Sequence, residues 1–117
     1  MELSINKVEL MGRVGADPRI GQSEEGRKVM NVSLATGEII RMPDGTLKEE
    51  TTWHRIVAWE GKEITSFAKV KKGSRLYVTG RIRTGAYEKE GQTRYFQEIL
   101  AQKLREVTSD GKVSEAD

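Results

Sequence analysis

The 117-residue sequence predicts a small all-β domain that contains a single helix. Most of its segments alternate apolar and polar residues with the two-residue period of a half-buried strand. Glycine- and proline-containing turns separate these segments. The period of an amphipathic helix occurs only once along the chain. A chain of this length forms one domain around one core.

The alternating segments predict three strands, then the helix, then two strands that continue into an extended β-hairpin. The predicted strands and hairpin arms are residues 6–14, 29–36, 51–59, 74–83, 84–87 and 93–104. A strong turn signal, Met-Pro-Asp-Gly, occupies residues 42–45, and residues 88–91 form the tip of the hairpin. The order of elements therefore places the helix between the third and fourth strands.

The predicted helix covers residues 61–72 and has a narrow apolar stripe of Ile64, Phe67 and Ala68. Gly73 follows it as a helix stop. A β-domain with a helix at this point is typical of the five-stranded oligonucleotide/oligosaccharide-binding (OB) barrel. Interior glycines such as Gly12 and Gly80 suit the tight bends of a small barrel. We expect residues 1–104 to form the OB domain and residues 105–117 to form a short, flexible polar tail.

The composition excludes several classes of function. The chain has no cysteine, which removes disulfides, thiolate catalysis, cysteine-based zinc sites and iron–sulfur clusters. Its single histidine, His54, argues against a metal site rich in histidine, and we expect it to be a core or interface residue. Asp17, Asp44 and the pair at residues 49–50 lie in turns or loop flanks, and no carboxylates converge as in a two-metal nuclease. No apolar run is long enough to span a membrane. We expect no catalytic residue, no metal and no cofactor.

The net charge of +2 hides a strongly basic segment. Residues 62–83 contain seven basic residues and one acidic residue, a net charge of +6. A local excess of this size attracts phosphates, although a solvated basic face would have the same composition.

The third strand carries the pattern that points most directly to a ligand. Its alternation places Trp53, Arg55 and Trp59 on one face, whereas the other face is small and apolar. Indoles beside a guanidinium form a stacking platform for nucleobases, and stacking depends little on base identity. The alternative is that a tryptophan fills the core.

Further basic and aromatic residues alternate along the following strands, as a groove for single-stranded nucleic acid requires. For Tyr87 and Tyr95 the alternative is cross-strand packing, which we prefer for Tyr95. The candidate DNA-binding residues are Lys7, Arg13, Trp53, Arg55, Trp59, Lys62, Lys72, Arg81, Arg83, Tyr87 and Arg94.

The sequence resembles the bacterial and mitochondrial single-stranded-DNA-binding proteins over about residues 5–104. The resemblance is carried by an ordered set of short motifs. They are Asn-Lys-Val at residues 6–8, Gly-Arg-Val-Gly at 12–15, Asp-Pro at 17–18, Ser-Leu-Ala-Thr at 33–36, Thr-Trp-His-Arg at 52–55, Lys-Gly-Ser at 72–74 and Val-Thr-Gly at 78–80. Tyr87 and the pair at residues 94–95 fall where the family has its hairpin.

The resemblance implies an OB-fold protomer, usually in a homotetramer, that binds single-stranded DNA without sequence preference in replication, recombination and repair. Trp53, Trp59 and Tyr87 match stacking aromatics of the family, and Arg55, Lys62, Lys72, Arg83 and Arg94 match its basic contacts. The sequence departs from the family at Ile40, where many members have tryptophan. It departs again at Gly85 and Ala86, where bacterial relatives have basic residues.

The resemblance is closer to mitochondrial members, since the long bacterial tail with its acidic tip is missing. We therefore expect a location in the mitochondrial matrix or nucleoid, with the bacterial cytoplasm as the alternative. Residues 1–5 resemble no targeting signal, so a presequence would be absent from this chain. Replication proteins are potential partners, and no membrane is expected. The alternative functions are an OB module that binds RNA or a replication protein (a primosome-accessory type), a small nuclease, and a structural oligomer.

Overall fold

The computed structural model describes residues 2–115 and shows an all-β fold. Its strands are β1 (Val8–Val14), β2 (Arg19–Gln22), β3 (Lys28–Arg41), β4 (Leu47–Trp59), β5 (Arg75–Lys89) and β6 (Gln92–Glu106). β2 was missed in the sequence because it is short, fully exposed and placed directly after a proline-containing turn.

Five of these strands close into a barrel in the order β1-β5-β6-β4-β3, and β2 lies outside it against β3. Most neighbours are antiparallel, but β4 and β6 are parallel, with Ile56 opposite Ile99. The short pairing of Arg13 with Ala35 joins β1 to β3 and closes the barrel. The predicted OB fold class is therefore confirmed.

The core contains the inward-facing residues of the alternating segments. Met30, Leu34, Ile56, Leu76 and Leu104 are fully buried, as the two-residue period predicts. Two glycines allow strands to approach each other inside the barrel. A Cβ atom on Gly12 would lie 2.1 Å from the carbonyl oxygen of Ala35, and one on Gly80 would lie 2.2 Å from that of Leu100. These close approaches require glycine at both positions, and the register of β5 against β6 shifts between Thr79 and Gly80. That the barrel bends at these glycines stays a prediction.

Two long hairpins extend from the barrel. The predicted hairpin of β5 and β6 is confirmed, and its two-residue turn consists of Glu90 and Gly91, both with positive φ. The hairpin of β3 and β4 is longer than predicted, because its outer residues are exposed on both faces and show no clear alternation. In its turn, Thr46 donates hydrogen bonds from its hydroxyl and its backbone to Asp44, and these bonds lower the pKa of that carboxyl.

The predicted helix at residues 61–72 is replaced by one 3₁₀ turn, Phe67–Lys69. The backbone before this turn pairs with β6 instead of with itself. Leu104 donates to the carbonyl of Glu63, and Thr65 donates to the carbonyl of Leu104. Ile64 is buried by this pairing and Phe67 packs against the core, whereas Ala68 is exposed, so the apolar spacing does not mark a helix. Within residues 2–115, no helix is long and apolar enough to cross a membrane.

The chain beyond residue 104 continues in β6 as far as Glu106. Arg105 and Val107 are buried, and Val107 pairs with Val113 across a tight turn. Arg105 donates to the carboxylate of Glu63 at 3.2 Å, which connects β6 to the loop after β4. The domain boundary at 104 and the flexibility of the tail stay predictions, and residues 116–117 lie outside the described residues.

Candidate nucleic-acid interface

The outward side of the barrel sheet gathers most of the candidate residues. Strands β4, β6 and β5 are neighbours, and alternation places their outward positions on a common face. The register confirms which residues share it, because Arg83 lies opposite Glu98 and Tyr87 lies opposite Arg94. The candidate residues on this face are Trp53, Arg55, Trp59, Arg81, Arg83, Tyr87 and Arg94.

Trp53 is the most accessible tryptophan of the site, with 60% of its surface exposed. Its ring lies directly over Gly15, where an added Cβ atom would come within 2.3 Å of the indole. The neighbour across the strand is the small residue Ala35. The indole is therefore supported from below by backbone, and much of its surface is open to a ligand.

A groove of about 640 Å³ runs beside Trp53. Trp53 and Arg55 of β4 line it together with Ser33 and Asn31 of β3 and Arg19 of β2. Arg19 pairs with Asn31 in the strand register, which places its charge on the outward side. The groove therefore combines an exposed indole, two guanidinium groups and short polar side chains with one carboxylate, that of Asp17. Exposed rings beside cations are the combination that holds unpaired bases and their phosphates.

Trp59 occupies a different environment from Trp53. It lies at the end of β4 opposite Val29 and is half-buried. The guanidinium carbon of Arg27 lies 4.8 Å from the centre of its ring. The structure thus places Trp59 on the shared face but covers part of its ring with a cation.

Two aromatic rings continue the face onto the β5–β6 hairpin. Tyr87 is 51% exposed, and its ring centre lies 6.3 Å from that of Phe96. Phe96 rests on Gly85, where a Cβ atom would lie 2.4 Å from its ring. Gly85 therefore makes room for Phe96, so a basic side chain at this position would displace the ring that supports Tyr87.

The two central arginines of the face have different surroundings. Arg83 forms an ion pair of 3.2 Å with Glu98, whose side chain is only 6% exposed. Arg55 is exposed and has no ion pair with any residue between 2 and 115. The charge of Arg55 is available to a phosphate, whereas that of Arg83 is partly neutralised by a buried carboxylate.

The remaining basic candidates lie around this face. Arg13 is exposed on β1 and donates to the carbonyl of Gly73 at 3.2 Å. Lys72 lies near the groove, because its backbone donates to the carboxylate of Asp17, a groove residue. Lys62 is exposed in the loop after β4, and Lys7 is exposed before β1; neither lines the groove.

Three other residues of the sequence analysis occupy defined positions. His54 is half-buried and shares a hydrogen bond of 2.8 Å with the hydroxyl of Thr36. Ile40 lies on the β3–β4 hairpin opposite Lys48, on the side away from Trp53. Tyr95 is 82% exposed opposite Ala86, so the preferred interpretation of cross-strand packing is wrong. The small side chain of Ala86 offers the tyrosine ring too little surface to pack on.

Sequence reasoning missed three residues of this surface, namely Arg19, Arg27 and Phe96. Arg19 lies on the unpredicted strand β2. Arg27 follows a turn whose sequence indicates only an exposed, charged segment. The phenylalanine at residue 96 sits between Gly85 and Tyr87 only because of the hairpin register. If the sequence analysis had assigned the hairpin a two-residue turn at residues 90–91, the resulting register would have placed Phe96 opposite Gly85.

Within residues 2–115, no group of three or more potential metal ligands is present.

An OB barrel with an exposed aromatic and basic face is the architecture of oligonucleotide-binding domains. Residues 5–107 match the Single-strand binding protein family, and the chain belongs to that family. It is 37% identical to Single-stranded DNA-binding protein 1 of Chlorobaculum tepidum, over 99% of this chain and 75% of that protein. It is 39% identical to the mitochondrial single-stranded DNA-binding protein of Oryctolagus cuniculus, over 89% of this chain and 76% of that protein.

One solved structure supports this assignment, and a second shares the fold. The chain resembles a Plasmodium falciparum SSB in complex with ssDNA, with a TM-score of 0.82 and 35% identity, over 92% of this chain and 99% of that chain. A single-stranded DNA binding protein from Thermus aquaticus shares the fold, with a TM-score of 0.76 and 20% identity, over 94% of this chain and 54% of that chain.

Proposed function

We propose that this protein binds single-stranded DNA without sequence preference and protects it during replication, recombination and repair. The observation that carries the proposal is the exposed indole of Trp53, supported on Gly15 and adjoined by Arg55 and the groove. Basic side chains collect the phosphates, and the aromatic rings then hold the unstacked bases. The names of the curated relatives and the neighbouring complex with ssDNA support this ligand.

The protein acts as a binder and not as an enzyme, without a cofactor. A stacking platform is sufficient for the function, because occupation of the strand prevents reannealing and blocks access by nucleases. The alternative of a nuclease predicts Mg²⁺-dependent cleavage of single-stranded DNA. Incubation of the protein with labelled oligonucleotide and Mg²⁺ tests it, and we expect the oligonucleotide to remain intact.

The direct test of the ligand is a titration with oligo(dT), followed by the quenching of tryptophan fluorescence. We expect tight binding to oligo(dT) and much weaker binding to a duplex of the same length, since a duplex does not expose its base faces to Trp53. Binding of oligo(U) as tight as or tighter than that of oligo(dT) would favour an RNA-binding module. Unchanged fluorescence would favour a structural oligomer in which the tryptophans belong to an interface.

We propose that the protomers assemble as a homotetramer, as the family resemblance implies. Residues 8–12 of β1 pair with β5 on one side, and no described residue pairs with their other edge. An unpaired edge is a template for pairing with another chain. Leu3 and Ile5 precede this edge and are almost fully exposed in the protomer. Sedimentation equilibrium should therefore give the mass of four chains, and a monomer at all concentrations would contradict the proposal.

For the compartment we propose the mitochondrial matrix, with the bacterial cytoplasm as the alternative. Relatives of both origins are equally similar, since a protein of Rhizobium meliloti and the mitochondrial protein of Oryctolagus cuniculus are both 39% identical to this chain. Immunolocalisation in cells of the source organism, with a mitochondrial DNA stain, decides between them.

A further inference from the structure

The contact between Arg27 and Trp59 lies at the edge of the proposed DNA-binding face. Arg27 directly follows a tight turn. Its backbone N–H donates to the hydroxyl of Ser23, at the start of that turn, at 3.1 Å. Its carbonyl accepts from the backbone of Ser23 at 2.8 Å. The backbone of Arg27 is thus held at two points, while its side chain is exposed and extends over the indole.

Of the residues that the structure describes, only Trp59 contacts the guanidinium of Arg27 in a specific interaction. Among residues 2–115, Arg27 takes part in no ion pair, and its side chain makes no hydrogen bond to the protein. The carboxylate of Glu60, the residue after Trp59, accepts a hydrogen bond from the backbone of Lys28. Within the described part of the chain, the cation–π contact is therefore the one interaction that holds this cation on Trp59.

We propose that Arg27 is a displaceable cap on Trp59. In the free protein the guanidinium covers the ring. When single-stranded DNA binds, a nucleobase takes its place on the indole, and the released guanidinium pairs with an adjacent phosphate. The inference rests on the proposed function and adds to it a residue that couples base stacking to phosphate neutralisation at one position.

Relative magnitudes decide which group occupies the ring. An exposed cation–π contact changes an equilibrium by roughly two- to fivefold, whereas a stacked base changes it by roughly five- to 160-fold. The base therefore displaces the arginine. The guanidinium then gains a phosphate partner, because a strand whose base lies on Trp59 carries its phosphates next to the ring.

In an alternative arrangement, Arg27 stays on Trp59 and the base stacks on the outer side of the guanidinium, so that ring, cation and base form a column. This column predicts a different result from the displacement of Arg27. In that column, removal of Arg27 weakens binding at every salt concentration, since a stacking layer is lost. In the displacement mechanism, removal of Arg27 loses a phosphate contact but also removes a competitor for the ring. The two effects oppose each other, and salt separates them because only the phosphate contact is screened.

The experiment uses a Trp53→Phe background, in which Trp59 is the only tryptophan of the chain. Arg27→Ala is compared with the background protein in oligo(dT) titrations from about 0.05 M to about 1 M salt. Lys48→Ala is the matched control, since it removes an exposed cation from the β3–β4 hairpin on the side away from Trp53. Acrylamide quenching of Trp59 is measured in the free proteins.

For Arg27→Ala we expect the slope of log affinity against log salt to fall by about 0.7. At about 0.1 M salt binding becomes weaker. At about 1 M salt it equals that of the background protein or is up to roughly fivefold tighter, because no cap has to be displaced. Acrylamide should reach Trp59 more readily in the free variant, and Lys48→Ala should change neither the slope nor the quenching.

Weaker binding by Arg27→Ala at all salt concentrations would overturn displacement and support the stacked column. An unchanged slope and affinity would remove Arg27 from the path of the DNA. Either result, obtained while the wild-type protein binds oligo(dT) and the background protein still binds it measurably, overturns this inference alone. Failure of the wild-type protein to bind oligo(dT) would overturn the proposed function and this inference with it.

Discussion

Replacement of Trp53 by alanine is expected to weaken oligo(dT) binding by about 1–3 kcal/mol, which is roughly five- to 160-fold. The indole is 60% exposed and supported by Gly15, so it offers a fixed ring surface to a base. Because most of the side chain is outside the core, the free energy of unfolding should change by no more than about 0.5 kcal/mol. Titration by fluorescence anisotropy of labelled oligo(dT), together with urea unfolding, measures both quantities.

Tyr95→Ala is the matched control for this prediction. Tyr95 is an aromatic residue with 82% exposure, but it lies on the opposite face of the β5–β6 hairpin from Tyr87. Its removal should leave the affinity unchanged. Equal losses in the two variants would show that aromatic exposure in general, and not the Trp53 face, governs binding. A loss below a few tenths of a kcal/mol for Trp53→Ala would remove this indole from the site.

Alanine substitution should separate the roles of Arg55 and Arg83. Arg55 is exposed and free of ion pairs with described residues, so Arg55→Ala should lower the slope of log affinity against log salt by about 0.7. That change corresponds to roughly fivefold for each tenfold change in salt. The melting temperature should not change. Oligo(dT) titrations over a range of salt concentrations and thermal unfolding test both statements.

Arg83→Ala should instead affect mainly stability. Its partner Glu98 is 6% exposed, and loss of the arginine leaves this carboxylate without its ion pair. We expect a decrease in the free energy of unfolding of about 1–3 kcal/mol, and a change in salt slope smaller than that of Arg55→Ala. Because the side chain of Arg83 is 49% exposed, this loss of unfolding free energy should be smaller than the loss caused by breaking a fully buried ion pair.

A double variant distinguishes this mechanism from simple loss of contacts. When Glu98→Gln is added to Arg83→Ala, the unpaired charge disappears, and much of the lost stability should return. Equal melting temperatures for the Arg55 and Arg83 single variants would contradict the assignment. So would a larger decrease in salt slope for Arg83→Ala than for Arg55→Ala.

The sequence was most informative where one face of a strand is buried. Alternation located the barrel portions of β1, β3, β4 and β5, because burial of Met30, Ile56 and Leu76 requires an apolar residue at every second position. It failed in the β3–β4 hairpin and in β2, where both faces meet solvent and backbone pairing alone defines the strand. It also mistook the loop around Ile64 for a helix, since Ile64 and Phe67 have helical spacing but pack on the barrel from a non-helical segment, while Ala68 is exposed.

The site shows the same division. Residue types and strand period sufficed to identify Trp53, Arg55 and Tyr87 as an outward aromatic and basic set, because these properties are local to each strand. Residues distant in the chain determine that the Trp53 ring is open and that Arg27 covers the Trp59 ring. They also determine that Arg83 is paired with the buried carboxylate of Glu98. Only the tertiary structure decides them, because hairpin register and barrel closure determine which side chains meet.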